Sequence, residues 1–270
     1  MDREPNGPIT LWDFSTLEDA QDAAWVDETS KRGGWRISDD SVIGGYSRAK
    51  LALIQTPEDY QRILRGEPSL SMEDPTRIQA MIPSQTENED GSIAQPPFIP
   101  FVRWKGVLDT RVNSDTKANM EKSGKNVVRS GFCAIRSPEF PFGGADLGGR
   151  YNGLEFTCRS DGRPYSVNLK CESFVENDMF QCFLKIPPTL PPEPNDPSAG
   201  PFDQVVLLFH HFSVTSGGRM RSTQRVLDDR IKIQSIGFTL MDGIGGDFQF
   251  DLASIRAVNY DEKGVIGKVD

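Results

Sequence analysis

His210 and His211 are the only histidines of this 270-residue chain, and they sit side by side in FHHF. On a strand, neighbouring side chains point to opposite faces, so the two imidazoles should diverge and not share a metal. A Ser-His-Asp hydrolase needs one of them beside a strained nucleophile turn, and no Gly-x-Ser-x-Gly occurs. Asp242-Gly-Ile-Gly-Gly-Asp247, with Asp251 beyond, is acidic enough to hold calcium through carboxylates and carbonyls. It lacks EF-hand spacing, and the same residues make a good hairpin connection between two strands. Gly143–Gly149 is also glycine-rich, yet it follows no βαβ pattern and opens no helix, so it reads as a flexible loop rather than a phosphate cradle. Cys133, Cys158, Cys171 and Cys182 form no C-x-x-C pair, which argues against zinc-ribbon and thioredoxin-type chemistry. Buried reduced thiols are expected, with a disulfide involving Cys171 or Cys182 left open. With no converging acid, base, nucleophile or metal set, no catalytic residue, metal or cofactor is expected.

The remaining polar motifs suit binding better than turnover. Asp161-Gly-Arg-Pro-Tyr165 reads as an Asp-Gly turn between the strands that carry Phe156 and Val167, which gives Asp161 and Gly162 a structural role. Arg163 and Tyr165 are residue types favoured at the centres of protein interfaces and are candidates to face a partner. Arg219 and Arg221, in Gly217-Gly-Arg-Met-Arg221, place a basic loop on an acidic protein and could meet a phosphate or carboxylate. The formal charge of -9 disfavours general affinity for nucleic acid, which rests on cations meeting phosphates.

The elements that must position these residues are strands. Ile9–Phe14 reads as a short strand, and Ser15 then looks like the N-cap of a short helix over 17–24. Strand patterns recur at Gly34–Ser38, Ser47–Ile54, Val102–Thr110, Gly131–Arg136, Gly153–Ser160 and Tyr165–Glu172. They continue at Met179–Ile186, Gln204–Leu208, Ile233–Met241 and Phe248–Asn259. Many strands and almost no helix predict an antiparallel sandwich or barrel, and alternation such as Leu154-Glu-Phe-Thr-Cys-Arg sets one face inward and one toward solvent. Trp35, Phe132, Leu154, Phe156, Val167, Leu169, Ile236, Phe238, Phe248 and Phe250 are expected in or bordering the core. One β-sandwich domain over 1–270, with its core at about 9–258, accounts for the pattern. Two stretches break the rhythm: 55–100, proline-rich and polar, reads as an insertion, and 187–201 (PPTLPPEPNDPSAGP) as a polyproline-like surface loop. Within the insertion, Tyr60, Ile63 and Leu64 recur at helical spacing, and the remainder should be mobile. No apolar run approaches the ~20 residues of a membrane span, and Met1–Gly7 resembles neither a signal nor a transit peptide.

The order of several motifs adds a resemblance. Trp35, Ser38, Asp39, Asp40, Gly44, Gly45 and Ser47 spell W-x-x-S-D-D-x-x-x-G-G-x-S, which resembles the signature of the mitochondrial complex I intermediate-associated protein family. Gly131–Ile135 is similar to that family's G-[FY]-C-A strand, Tyr151–Leu154 to its aromatic entry into the next strand, and Arg159–Asn168 to R-G-D-G-R-P-[WY]-x-V-N. Gly218-Arg219 matches a loop feature, and Ser235–Leu240 is similar to the penultimate strand. The resemblance implies an all-β, galactose-binding-like jelly roll with short helices and two loop insertions. It implies a non-enzymatic assembly factor that binds intermediates of respiratory complex I and companion assembly factors, in the mitochondrial matrix or peripherally at the inner membrane. The residues of the first motif would be structural. The alternative is a carbohydrate-binding module of the same fold, stacking sugars on Trp12, Trp25, Trp35 or Trp104, although Trp12, Trp35 and Trp104 sit in strand contexts that look like core.

Overall fold

The computed structural model describes residues 7–16, 34–65, 98–111, 131–147, 149–173, 175, 178–189, 202–227, 232–261 and 264–266. The helix expected over 17–24, the greater part of the 55–100 insertion and most of the proline-rich loop lie outside the described residues.

Fourteen strands and one helix are formed among the described residues: β1 (Ile9–Asp13), β2 (Arg36–Asp39), β3 (Arg48–Ile54), α1 (Pro57–Leu64), β4 (Phe101–Leu108), β5 (Cys133–Arg136), β6 (Gly153–Ser160), β7 (Tyr165–Cys171), β8 (Asp178–Leu184), β9 (Asp203–Leu208), β10 (Ser213–Ser216), β11 (Arg219–Met220), β12 (Ile233–Leu240), β13 (Gly246–Asp261) and β14 (Gly264–Ile266). They build two antiparallel sheets. The first runs β3-β4-β13-β6-β9, with β1 and β14 also paired to β13, and the second runs β11-β10-β8-β7-β12-β5-β2. From β5 onward the chain passes back and forth between the sheets, giving a jelly-roll β-sandwich.

The inner faces meet in one large apolar cluster that includes Trp35, Trp104, Phe156, Tyr165, Phe238 and Phe250, each fully buried. Its centre is a relay of rings between the sheets: Phe156–Phe238 centroids lie 5.8 Å apart, Phe238–Phe250 5.1 Å, Phe250–Tyr165 4.9 Å and Tyr165–Trp104 5.7 Å. Such edge and tilted pairs each add about 0.5–1.5 kcal/mol beyond the area they bury. Phe132 is half-buried at the border, while Cys133 and Ile135 point inward.

β13 shows how the sequence keeps a long strand in phase. Phe248, Phe250 and Leu252 face the core, and then Ile255 and Ala257 do, so the inward parity changes from even to odd. The pairing with β6 shifts register between Leu252 and Ser254, and this bulge supplies the extra residue that resets the phase.

The outer face of the first sheet departs from the expected solvent exposure. Arg103, Asp251 and Arg159, at outward positions of β4, β13 and β6, are 2%, 0% and 1% exposed. They are covered by a second apolar cluster of Ile54, Tyr60, Phe101 and Ala253, with Phe98 and Phe202 packed against it. Tyr60 comes from α1, so that helix, although it lies in the stretch read as an insertion, packs on the sandwich.

Candidate functional site

The W-x-x-S-D-D-x-x-x-G-G-x-S segment folds into a tight corner. Trp35 is fully buried, with its ring 5.7 Å from both Trp12 and Phe14. Asp39 accepts a hydrogen bond from the Ser41 amide at 3.0 Å, and Gly44 closes the turn with φ 81°, a conformation that favours glycine. The buried Asp40 carboxylate accepts the Ser47 amide at 2.9 Å. A Cβ at Gly45 would collide with that carboxylate, so glycine is required there. Ser47 in turn accepts the Asp109 amide at 3.0 Å and pins the end of β4 to the start of β3. Ser38, at half-exposed β2, pairs with Ala134.

Asp161 and its neighbours are placed differently from a hairpin. β6 belongs to the first sheet and β7 to the second, so Asp161–Pro164 crosses between sheets. Asp242–Gly245 is also a crossing, from β12 to β13, and not a hairpin. The two crossings are clasped by Arg163. Its Nε donates to Asp242 Oδ2 at 2.9 Å, its Nη2 to Asp242 Oδ1 at 2.7 Å and to the Ile244 carbonyl, and its Nη1 to the carbonyls of Gly246 and Asp247 at 3.3 and 3.1 Å. All five guanidinium donors act inside the molecule. Arg163 is 14% exposed and Asp242 4%. Burial pushes the Asp242 carboxyl up, but the hydrogen bonds from Arg163 and the Ile244 amide, with the Arg163 charge, hold it below its ordinary value.

Tyr165 requires a correction as a partner-facing residue. It is 0% exposed, and its hydroxyl donates to Asp161 at 3.0 Å. Burial, then the Asp161 charge, pushes the phenol up, so it stays neutral. Asp161 also accepts the Arg163 amide at 3.0 Å and the Gln249 amide at 2.8 Å, while Gly162, at φ 88°, makes the turn. Of the residues expected to face a partner, Arg219 alone is freely displayed, at the tip of the β10–β11 hairpin beside Met220, which is 72% exposed. Arg221 donates to the buried Asp178 at 2.6 Å and keeps 39% of its side chain exposed.

The histidines do not lie on a strand. They form a 3-10 turn, Phe209–His211, and both rings are exposed with centroids 4.2 Å apart. Among the described residues no group of three or more His, Cys, Asp or Glu is placed to hold a metal. All four cysteines are free, and burial raises the thiols of Cys133 and Cys171 to about 12 and those of Cys158 and Cys182 above the ordinary value. Residues 143–147 of the glycine-rich segment are docked: Ala145 bridges Ile233 and Leu147 is 3% exposed.

Sequence reasoning missed the outer face of the first sheet. Arg103 grips Asp251 with two hydrogen bonds of 2.8 Å, and Arg159 adds a third at 3.0 Å. The Tyr60 ring lies 4.8 Å from the Arg103 guanidinium and the Phe202 ring 4.2 Å from that of Arg159. Next to this covered patch a cleft of about 630 Å³ opens, with Arg48, Lys50, Lys105, Asp247 and Gln249 at outward strand positions and Asp161 at its end. Lys50 pairs directly with Lys105 across β3 and β4. Burial, then the charges of Arg103 and Lys50, lowers the Lys105 pKa. The only sequence signal was a cation at every other position of two strands, and it needed the register to become a site.

A family model described as Complex I intermediate-associated protein 30 (CIA30) matches residues 100–252, which runs from the entry to β4 into β13 and covers over half of the chain. The chain belongs to this family. It is 24% identical to the "Complex I intermediate-associated protein 30, mitochondrial" of Neurospora crassa over 278 residues, covering 98% of this chain and 78% of that protein. It is 33% identical to the Mus musculus protein of the same name over 135 residues, 46% of this chain and 37% of that one. Among solved structures it is similar to the family 11 carbohydrate-binding module of cellulase Lic26A-Cel5E of Clostridium thermocellum, at 10% identity and a TM-score of 0.44 over 98% of this chain and 97% of that one. The same module with a β-1,3-1,4-mixed-linked tetrasaccharide gives 11% and 0.40 over 91% and 95%. Likeness at this distance says nothing about the site of this family member. Sugar stacking is not favoured by its own side chains either: Trp12, Trp35 and Trp104 are 5%, 0% and 0% exposed, and Trp25 lies outside the described residues.

Proposed function

We propose that this protein is an assembly factor for mitochondrial respiratory complex I, which holds assembly intermediates and companion assembly factors by protein contact and turns over no substrate. The observation that carries this reading is the family match across β4 to β13, together with relatives named for association with complex I intermediates. The chemistry of the described residues agrees. Thiols raised by burial are poor nucleophiles at neutral pH, and both histidines stand on the surface.

A working location in the matrix, peripheral to the inner membrane, fits relatives named as mitochondrial and the finding that no described helix is long and apolar enough to cross a membrane. We assign the contact surface to the β10–β11 hairpin. There Arg219 flanks the exposed Met220, with Val226 69% exposed further along the chain, and an apolar residue beside arginine is the composition of an interface anchor. Arg163 and Tyr165 instead hold the crossings between the two sheets.

Affinity capture from mitochondria tests the reading. Tagged wild type should enrich complex I subunits and assembly factors, and the double variant Arg219→Glu with Met220→Asp should melt like wild type yet capture them about tenfold less, a loss of roughly 1.4 kcal/mol. Wild type that enriches no complex I component would overturn the assembly reading, and unchanged capture by the folded variant would move the contact elsewhere.

A further inference from the structure

We propose that the cleft on the outer face of the first sheet is an oxyanion site, built to take a small organic molecule carrying phosphate or carboxylate groups. The proposal is independent of the assembly reading and rests on where this acidic chain has put its cations. The formal charge is -9, yet Arg48 and Lys50 on β3 and Lys105 on β4 open onto one cleft. Lys50 and Lys105 stand directly opposite each other, an arrangement that like charges disfavour in a sheet. Lys105 is moreover half-buried, so its charge is held partly out of water with a second ammonium beside it. Its lowered pKa reports the same strain, and an anion between the two lysines would relieve both the repulsion and the lost solvation.

The rest of the cleft is arranged to complete such a site. Gln249 lines the cleft and ties it to the covered patch, its amide oxygen turned to Arg103 Nε and Nη2 at 3.2 and 3.1 Å. Behind it Arg103 is locked on Asp251, so the wall is rigid and its charge does not wander. The three cations, Arg48, Lys50 and Lys105, exceed the two acids of the lining, Asp161 and Asp247. Asp161 already accepts from the Tyr165 hydroxyl and from two amides, and Asp247 stands exposed at the rim. A volume of about 630 Å³ matches a small ligand and is ample for a di- or tricarboxylate or a phosphate ester.

The test is titration calorimetry and thermal unfolding of the full chain at fixed ionic strength with inorganic phosphate, citrate and a hexaglutamate peptide, chloride serving as the control. Wild type should bind phosphate or citrate saturably and unfold later in its presence, and the stronger of the two names the ligand chemistry. The double variant Lys50→Gln with Lys105→Gln should bind about tenfold more weakly or worse. Without ligand it should unfold no earlier than wild type, because it has lost a repulsive pair. Absence of saturable binding by phosphate and citrate overturns the proposal. So does equal binding by the variant, which would mark diffuse surface charge. Saturable binding of hexaglutamate alone overturns it too, in favour of a docking site for an acidic protein segment.

Discussion

Arg163 is the residue whose role changes most between sequence and structure. In the sequence it follows Asp-Gly, a pair that signals a hairpin, and a hairpin tip would display it to a partner. The chain instead crosses between sheets at that point, so Tyr165 turns into the core and Arg163 reaches the second crossing loop 79 residues away. No local pattern announces that meeting. Replacing Arg163 by Ala leaves the buried Asp242 with the Ile244 amide but without its ionic partner and should cost about 2–4 kcal/mol, read as an earlier urea midpoint. The variant Tyr165→Phe, which keeps the ring, should cost about 1–2 kcal/mol through the lost bond to Asp161. The pH dependence has a definite sign. Asp242 is depressed in the folded state, so its contribution is complete above its unfolded pKa and is lost as pH falls through the folded value. The wild-type advantage over Arg163→Ala should therefore be full at pH 7 and shrink below about pH 4. Equal gaps in urea melts at pH 7 and pH 3 would show that the clasp is not ionic.

Among elements, the strands were legible and their coverings were not. Ten of the segments with alternating or apolar patterns became β2 to β9, β12 and β13 within a few residues, because period-2 burial is written locally. β10, β11 and β14 were missed since Ser213–Ser216, Arg219–Met220 and Gly264–Ile266 are too short to show a period. The covering of the outer sheet face was illegible for a different reason: Arg103, Arg159 and Asp251 look like ordinary solvent-facing charges until α1 and Phe202 arrive from elsewhere in the chain. α1 is therefore the element to test. Replacing Glu58–Gln95 by a short Gly/Ser linker removes Tyr60 from above Arg103, and this variant should be about 3–5 kcal/mol less stable than one that keeps 55–65 and shortens only 66–95. Equal denaturant midpoints for the two would mean that the helix contributes no cover.

At the scale of the whole molecule, stability is concentrated where the two sheets share rings. Phe238 lies between Phe156 and Phe250 of the opposite sheet, so Phe238→Ala opens a cavity at the centre and should cost about 3–5 kcal/mol, measured as an early midpoint or as loss of soluble protein. A midpoint equal to wild type would contradict the ring relay. The cationic cleft belongs to this scale as well. Its lysines come from two strands separated in sequence by α1 and the insertion, so only the closed sheet creates it. The first motif spells out a corner: Asp40 accepts the Ser47 amide, and Gly45 leaves room for its carboxylate.

β13 carries a consequence for synthesis. It is the strand to which β1, β4, β6 and β14 are all paired, and it is also among the last to be made. A chain emerging amino-terminus first from a ribosome holds β1 without a partner, and β4 and β6 each with one edge open, until Asp261 has cleared the exit tunnel. For most of its translation the polypeptide is thus a client for holding chaperones, since exposed edges of this kind aggregate readily. A premature stop codon ahead of residue 246 would not trim a tail. It would delete the strand on which the first sheet closes, and the truncated product should be degraded rather than accumulate as a smaller folded form.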